Sequence, residues 1–265
     1  MRPHRSFAAV FLIFCCLTFA HPHAESFSAQ LGAGLREAGG VALTTLKAPQ
    51  VWGCGALAIA CYATGLDQMI SAWASGTNPV FGSISNADRW STILRNSTEY
   101  GYFASTATQL ILGPESKNRL LMLAATLGTG FLAVNATAAA TGAGKTTVGR
   151  YRPDLSDHYS FPSGHTSTAA VFSTLGCKVI DRLDIPAPGK AGLQLGFALL
   201  TASTAWGRIE AKKHYPSDVL AGAAIGYFCG AFLSDMISNR LFGDKADVQV
   251  QADRTGFGLS MRCRF

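Results

Sequence analysis

Val219-Leu-Ala-Gly-Ala-Ala-Ile-Gly-Tyr-Phe-Cys-Gly-Ala-Phe-Leu-Ser234 runs without a single charge, and Gly222, Gly226 and Gly230 recur every fourth residue. That period puts the three glycines on one helical face. Such a face lets a second backbone approach closely, in lipid or in a tightly packed soluble bundle. Further charge-free windows lie at 48–66, 100–114, 120–144, 166–177 and 191–207. With their flanking residues they predict six helices near 50–66, 90–112, 117–141, 164–182, 191–208 and 216–240. Gly113-Pro114 and Pro186-Ala-Pro188-Gly189 supply breaks between them. The expected fold class is all-α, a six-helix bundle. Only 120–144 clearly reaches the roughly 20 apolar residues of a membrane span, and it contains Asn135 with several Thr and Gly.

The 265 residues are 48% hydrophobic and 14% charged, against roughly 25% charged in soluble domains. Intrinsic disorder, which needs few apolar groups and many charges, is excluded. The net charge of +6 is spread along the chain, which argues against a nucleic-acid partner. A mean hydropathy of +0.21 leaves both a membrane protein and a soluble helical protein open.

Arg2 and Arg5 precede an apolar run ending in the small residues Ala20 and Ala24. This predicts a secretory signal peptide over 1–24, cleaved after Ala20 or Ala24, with an uncleaved anchor as the alternative. An N-terminal segment with the first helix follows over 25–89, a core over 90–240 and a tail over 241–265. In the tail, Val248 and Val250, then Phe257, Leu259, Met261, Cys263 and Phe265, recur at period two, as in a β-hairpin. Cys54, Cys61, Cys177, Cys229 and Cys263 show no metal-ligand spacing and read as small core residues, with at most one or two disulfides.

Gly142-Ala-Gly144-Lys145-Thr146 imitates a phosphate-binding P-loop, but Ala139 stands where that pattern needs glycine. A different pattern uses the same lysine. Lys145-Thr-Thr-Val-Gly-Arg-Tyr-Arg152-Pro153 is followed by Pro162-Ser-Gly-His165 and, later, Gly207-Arg208-Ile-Glu-Ala-Lys-Lys-His214-Tyr-Pro-Ser-Asp218. Lys145, Arg152 and Arg208 supply three cations for phosphoryl oxygens. Ser163 and Gly164 precede a helix, whose free N–H groups favour an anion. Asp218, four residues after His214, is placed to accept from one ring nitrogen and leave the other free to attack. His165 is placed to protonate a leaving oxygen. His158 fits no motif and reads as a loop residue.

These three motifs closely resemble those of the type 2 phosphatidic acid phosphatase (PAP2) family, which shares its site with class A bacterial acid phosphatases and vanadium haloperoxidases. The likeness covers roughly 90–235. It implies that His214 is the nucleophile forming a phosphohistidine, Asp218 its partner and His165 the general acid. It also implies that Lys145, Arg152, Ser163, Gly164 and Arg208 bind the phosphoryl group, with no metal and no other cofactor. Gly207 departs from the resemblance, because the family usually has Ser there.

The resemblance implies a phosphorylated lipid substrate and a membrane-associated envelope enzyme with its site toward the periplasm. A soluble periplasmic phosphatase of phosphomonoesters, a vanadium haloperoxidase and a non-catalytic helical binding protein are the alternatives. A cleaved signal peptide followed by six spanning helices would put the site in the cytoplasm. A periplasmic site therefore requires a peripheral first helix, a retained anchor or a bundle outside the bilayer. The sequence leaves oligomeric state open.

Overall fold

The computed structural model describes residues 27–76, 79–113, 119–242, 246–253 and 256–263. The expected signal peptide, with Ala20 and Ala24, lies outside them, as does Pro114 of the expected break. Among the described residues there are eight helices: α1 (Phe27–Leu46), α2 (Pro49–Ala63), α3 (Leu66–Ala74), α4 (Ile84–Leu112), α5 (Arg119–Val148), α6 (Gly164–Asp181), α7 (Ala187–Glu210) and α8 (Pro216–Phe242). Strands β1 (Ala246–Asp253) and β2 (Gly256–Cys263) pair antiparallel, with Asp253 opposite Gly256.

The six expected helices correspond to α2 and α4 to α8, so the count of six is corrected to eight. Helix α1 has no long charge-free window because Arg36 and Glu37 interrupt it. Helix α3 has only nine residues and ends just before Gly76 and Pro79, so its apolar run reads as a loop. Helix α5 also runs past its expected end at 141, so Lys145 sits in its last turn.

Local chemistry sets the helix starts. Pro49 and Pro216 occupy first-turn positions, where a missing N–H costs nothing. The Ser83 hydroxyl caps α4 by accepting from Asn86 N–H at 3.1 Å.

Helix α6 is the axis of the bundle and packs on α4, α5, α7 and α8. Its side chains are small enough for this, with Ala169, Ala170 and Val171 fully buried. The glycine face of α8 lies directly on it. A Cβ on Gly222 would stand 2.5 Å from the Ser163 carbonyl oxygen, and one on Gly226 would collide with the Ser167 carbonyl oxygen. Tyr102, Ala133, Phe172, Leu175 and Val179 complete the main apolar cluster.

The interior is otherwise rich in threonine. Thr98, Thr106, Thr137 and Thr204 are buried with their hydroxyls returned to helix carbonyls. Large apolar side chains such as Trp52, Ile59, Ile111, Leu120, Phe131 and Leu199 instead face outward. Helices Arg119–Val148 and Pro216–Leu241 are long and apolar enough to cross a membrane. Cys54, Cys61, Cys177 and Cys229 are free thiols.

Candidate active site

Four helix termini converge at one end of the bundle. The end of α5 brings Lys145, the start of α6 brings Ser163, Gly164 and His165, the end of α7 brings Arg208, and the start of α8 brings Asp218. Loops between them carry Arg152 and His214. All eight expected site residues therefore gather in one place.

His214 is buried, with 2% exposure. Its Nδ1 lies 2.6 Å from the Ser160 carbonyl oxygen. A carbonyl only accepts, so Nδ1 carries the proton and Nε2 keeps its lone pair. Burial pushes the His214 pKa well below its ordinary value, with Arg208, Lys145 and Arg152 adding to the effect. The imidazole is thus held neutral, with its lone pair on Nε2.

The expected contact between Asp218 and the His214 ring is corrected. The Asp218 carboxylate accepts instead from the Ser160 hydroxyl (2.5 Å), Tyr215 N–H (2.8 Å) and Arg150 Nη1 (2.8 Å). Ser160 therefore stands between the two, its hydroxyl on Asp218 and its carbonyl on His214. Position i+4 on a continuous helix would have put the carboxylate beside the ring. Here Pro216 starts α8 between the two residues, so His214 lies in the preceding loop.

His165 Nε2 lies 3.2 Å from the Thr92 hydroxyl. Burial, then Arg208, Arg95 and Arg152, pull its pKa down to about 4, with Asp88 opposing. A dianionic phosphate entering the site would offset those cations and favour the protonated ring.

The three expected cations keep donors free. Lys145 Nζ donates to the Tyr159 carbonyl at 2.6 Å and has no ion-pair partner among the described residues. Arg152 uses Nε on Asp157 (2.7 Å) and Nη1 on the Lys213 carbonyl (3.3 Å). Arg208 is 5% exposed and pairs with Asp88 through Nη1, while its buried Nε has no partner. An unpaired buried donor on an arginine is costly unless an anion takes it.

The Ser163 hydroxyl caps α6 and contacts Thr166 Oγ1 at 3.1 Å, and its N–H donates to the Asp218 carbonyl at 2.9 Å. Ser163 therefore shapes the helix start. At Gly164 a Cβ would stand 3.9 Å from Thr141 Cγ2 and 4.0 Å from Lys145 Cε, ordinary contact distances. The glycine thus leaves open the space beside the lysine.

Sequence reasoning missed three groups of residues here. Asp88, Ser91, Thr92 and Arg95 recur at helical spacing along α4 and face the site, a polar stripe that their period makes visible. Arg150 carries the second. It is held between Asp67 (2.7 Å) and Asp218, donates to the Ser217 hydroxyl at 2.7 Å, and stacks 4.0 Å from the Tyr215 ring centre. Asp67, 1% exposed, also accepts from Ser217 N–H (2.8 Å) and Ser217 Oγ (2.5 Å). Ser160 is the third. No local pattern singled out Asp67 or Ser160.

Gly207 has a packing reason. A Cβ there would stand 2.9 Å from Ser91 Cβ, so glycine permits the close approach of α7 to α4. The His158 ring lies against the Tyr159 ring at 4.4 Å between centres.

Residues 120–242 match the PAP2 superfamily. Over 102 residues the chain is 36% identical to the lipid A 1-phosphatase of Porphyromonas gingivalis. That alignment takes in 38% of this chain and 21% of the relative, so the chain spans about a fifth of the relative's length. No solved structure matches. The family match begins at the second residue of α5, so Asp67 and the polar stripe of α4 lie outside it.

Proposed function

From the PAP2 superfamily domain that residues 120–242 form, we propose that this chain is a metal-independent phosphatase. It works through a phosphohistidine on His214 and acts on lipid phosphates or lipid pyrophosphates. The neutral, buried His214, with Nδ1 donating to Ser160 and Nε2 free among Lys145, Arg152 and Arg208, carries the reading.

The geometry supports the following mechanism. Nε2 of His214 attacks phosphorus while Lys145, Arg152, Arg208 and the first N–H groups of α6 hold the equatorial oxygens. His165 gives a proton to the departing oxygen. It then takes a proton from the water that cleaves the phosphohistidine. The Ser160 carbonyl steadies the charge that the His214 ring acquires. Asp218 fixes Ser160 and is a positioning residue.

The preference for lipids rests on the large apolar side chains, among them Trp52, Ile59, Ile111, Leu120, Phe131 and Leu199, that face outward from the bundle. The 36%-identical relative is a lipid A 1-phosphatase, which supports the same substrate class. The expected export signal at 1–24 supports a site on the periplasmic side of the envelope.

The test is phosphate release by the purified full chain from a long-chain lipid phosphate and from p-nitrophenyl phosphate, beside His214→Ala. Lipid-selective activity abolished by His214→Ala is expected. Turnover confined to the soluble ester would favour a non-specific acid phosphatase. Activity unaffected by His214→Ala would overturn the mechanism.

A further inference from the structure

Arg150 is a partly buried cation held between two carboxylates. Its Nη2 donates to Asp67 Oδ2 at 2.7 Å and its Nη1 to Asp218 Oδ1 at 2.8 Å. The guanidinium lies over the Tyr215 ring, 4.0 Å from its centre. Asp67 sits in the first turn of α3, outside residues 120–242.

From there a continuous path of hydrogen bonds reaches the nucleophile. Asp218 Oδ2 accepts from the Ser160 hydroxyl at 2.5 Å. The Ser160 carbonyl accepts from His214 Nδ1 at 2.6 Å. Ser160 N–H also donates to the Arg150 carbonyl at 2.9 Å. Ser160 is thus tied to Arg150 twice, once through the backbone and once through Asp218.

Asp67 sets how the guanidinium lies within its own plane. It is 1% exposed, and its two oxygens take three donors. Oδ1 accepts from Ser217 N–H at 2.8 Å, and Oδ2 accepts from Ser217 Oγ at 2.5 Å as well as from Arg150. Stacking on Tyr215 fixes the plane of the fork but not its rotation in that plane. A guanidinium with one carboxylate alone turns to give it two parallel N–H groups. Released from Asp67, Arg150 would turn both Nη groups onto Asp218 and draw that carboxylate off Ser160. The Ser160 carbonyl would then no longer keep the proton on His214 Nδ1. Only the tautomer with its lone pair on Nε2 can attack phosphorus.

We propose that Asp67 is a positioning residue for phosphoryl transfer: through Arg150 it holds Asp218 on Ser160, and so holds His214 in the attacking tautomer. This rests on the phosphatase reading of the same site. Helix α3 thereby keeps the nucleophile ready, besides packing against the bundle. Lys145, Arg152 and Arg208, the cations proposed to hold phosphate, stand outside this path.

The experiment uses the purified full chain and a long-chain lipid phosphate, with kcat and KM read separately. Asp67→Asn keeps the shape of the side chain and removes its charge. Partners standing behind a functional histidine are worth about 10- to 100-fold, and kcat should fall by that factor. KM should stay within about twofold, because a contact that serves the transition state lowers kcat and not ground-state binding. Ile70→Ala is the comparison for packing alone. Ile70 lies on the same helix and packs against Ala74, Ile209 and Val219. That variant should lower Tm and keep the wild-type kcat. Arg150→Lys keeps the charge but loses the fork, and its kcat should fall as in Asp67→Asn. An unchanged kcat in Asp67→Asn or in Arg150→Lys overturns the proposal. So does an Ile70→Ala enzyme that loses as much kcat as Asp67→Asn, or a loss in Asp67→Asn that lies in KM. If Asp67→Asn does not fold, Arg150→Lys decides alone; if neither folds, the network serves folding and the proposal falls. In each of those cases His214→Ala would still abolish wild-type turnover, leaving the phosphatase reading intact. Wild-type rates no higher than those of His214→Ala would sink that reading instead.

Discussion

Asp67→Ala removes a carboxylate that ties the N-terminal helices to the proposed catalytic end. Asp67 is 1% exposed and accepts from Arg150 Nη2 (2.7 Å), Ser217 N–H (2.8 Å) and Ser217 Oγ (2.5 Å). The substitution leaves Arg150, 16% exposed, with Asp218 as its one remaining carboxylate among the described residues. It also orphans the Ser217 N–H in the first turn of α8. Removing one partner of a buried ion pair costs about 3–5 kcal/mol. At roughly 2–4 °C per kcal/mol for a domain near this size, Tm should fall by about 6–20 °C. The assay is thermal unfolding of the full chain followed by tryptophan fluorescence, because Trp73 and Trp206 pack edge to face 5.6 Å apart beside this network. A double-mutant cycle with Arg150→Met should give a coupling of about 1 kcal/mol or more, as residues in one network do. A Tm change under about 2 °C, or strictly additive losses, would refute the idea that α3 clamps the start of α8.

Three further outcomes are expected. Gly226→Leu should destabilise by about 1–3 kcal/mol or more, because its Cβ already collides with the Ser167 carbonyl; an unchanged Tm would contradict the contact of α6 with α8. Gly207→Ser should lower Tm and Ser91→Gly should restore it in the double variant, since the two Cβ positions are 2.9 Å apart; a double variant no better than the single would contradict it. His165 has a folded pKa depressed to about 4 against 6.5 unfolded. The folded chain thus binds fewer protons between those values, and stability should fall as pH drops from about 6.5 to 4. His165→Gln should flatten that slope in a Tm-against-pH series, and an identical slope would contradict the depressed pKa.

Much of the site was legible because its chemistry is written in contiguous motifs. Lys145, Arg152, Gly164, His165, Arg208 and His214 converge because helix termini bring their ends together. The relation of Asp218 to His214 was not legible. Spacing alone suggested direct contact, whereas the start of α8 after Pro216 turns the carboxylate onto Ser160, Tyr215 and Arg150. Ser160 meets His214 through its carbonyl, which any residue type would supply, and its hydroxyl reaches Asp218 only through the tertiary fold, so no local pattern marked it. Asp67 lies far from the motifs in sequence and is placed by tertiary packing. The fold was legible where charge-free windows coincided with helices. It was missed at α1, where Arg36 and Glu37 interrupt the apolar run, and at α3, which is only nine residues long. Gly207 is a departure from the family pattern in sequence and a close helix crossing in three dimensions.

The central claim is that His214 becomes phosphorylated during turnover. Its most direct measurement is acid-labile, base-stable label on the protein after rapid quenching with a lipid phosphate radiolabelled in its terminal phosphoryl group. The account predicts label on wild-type chain, located by peptide mapping to His214, and none on His214→Ala. Turnover by the wild type with no trapped label under any quench time, or label that persists in His214→Ala, would contradict it.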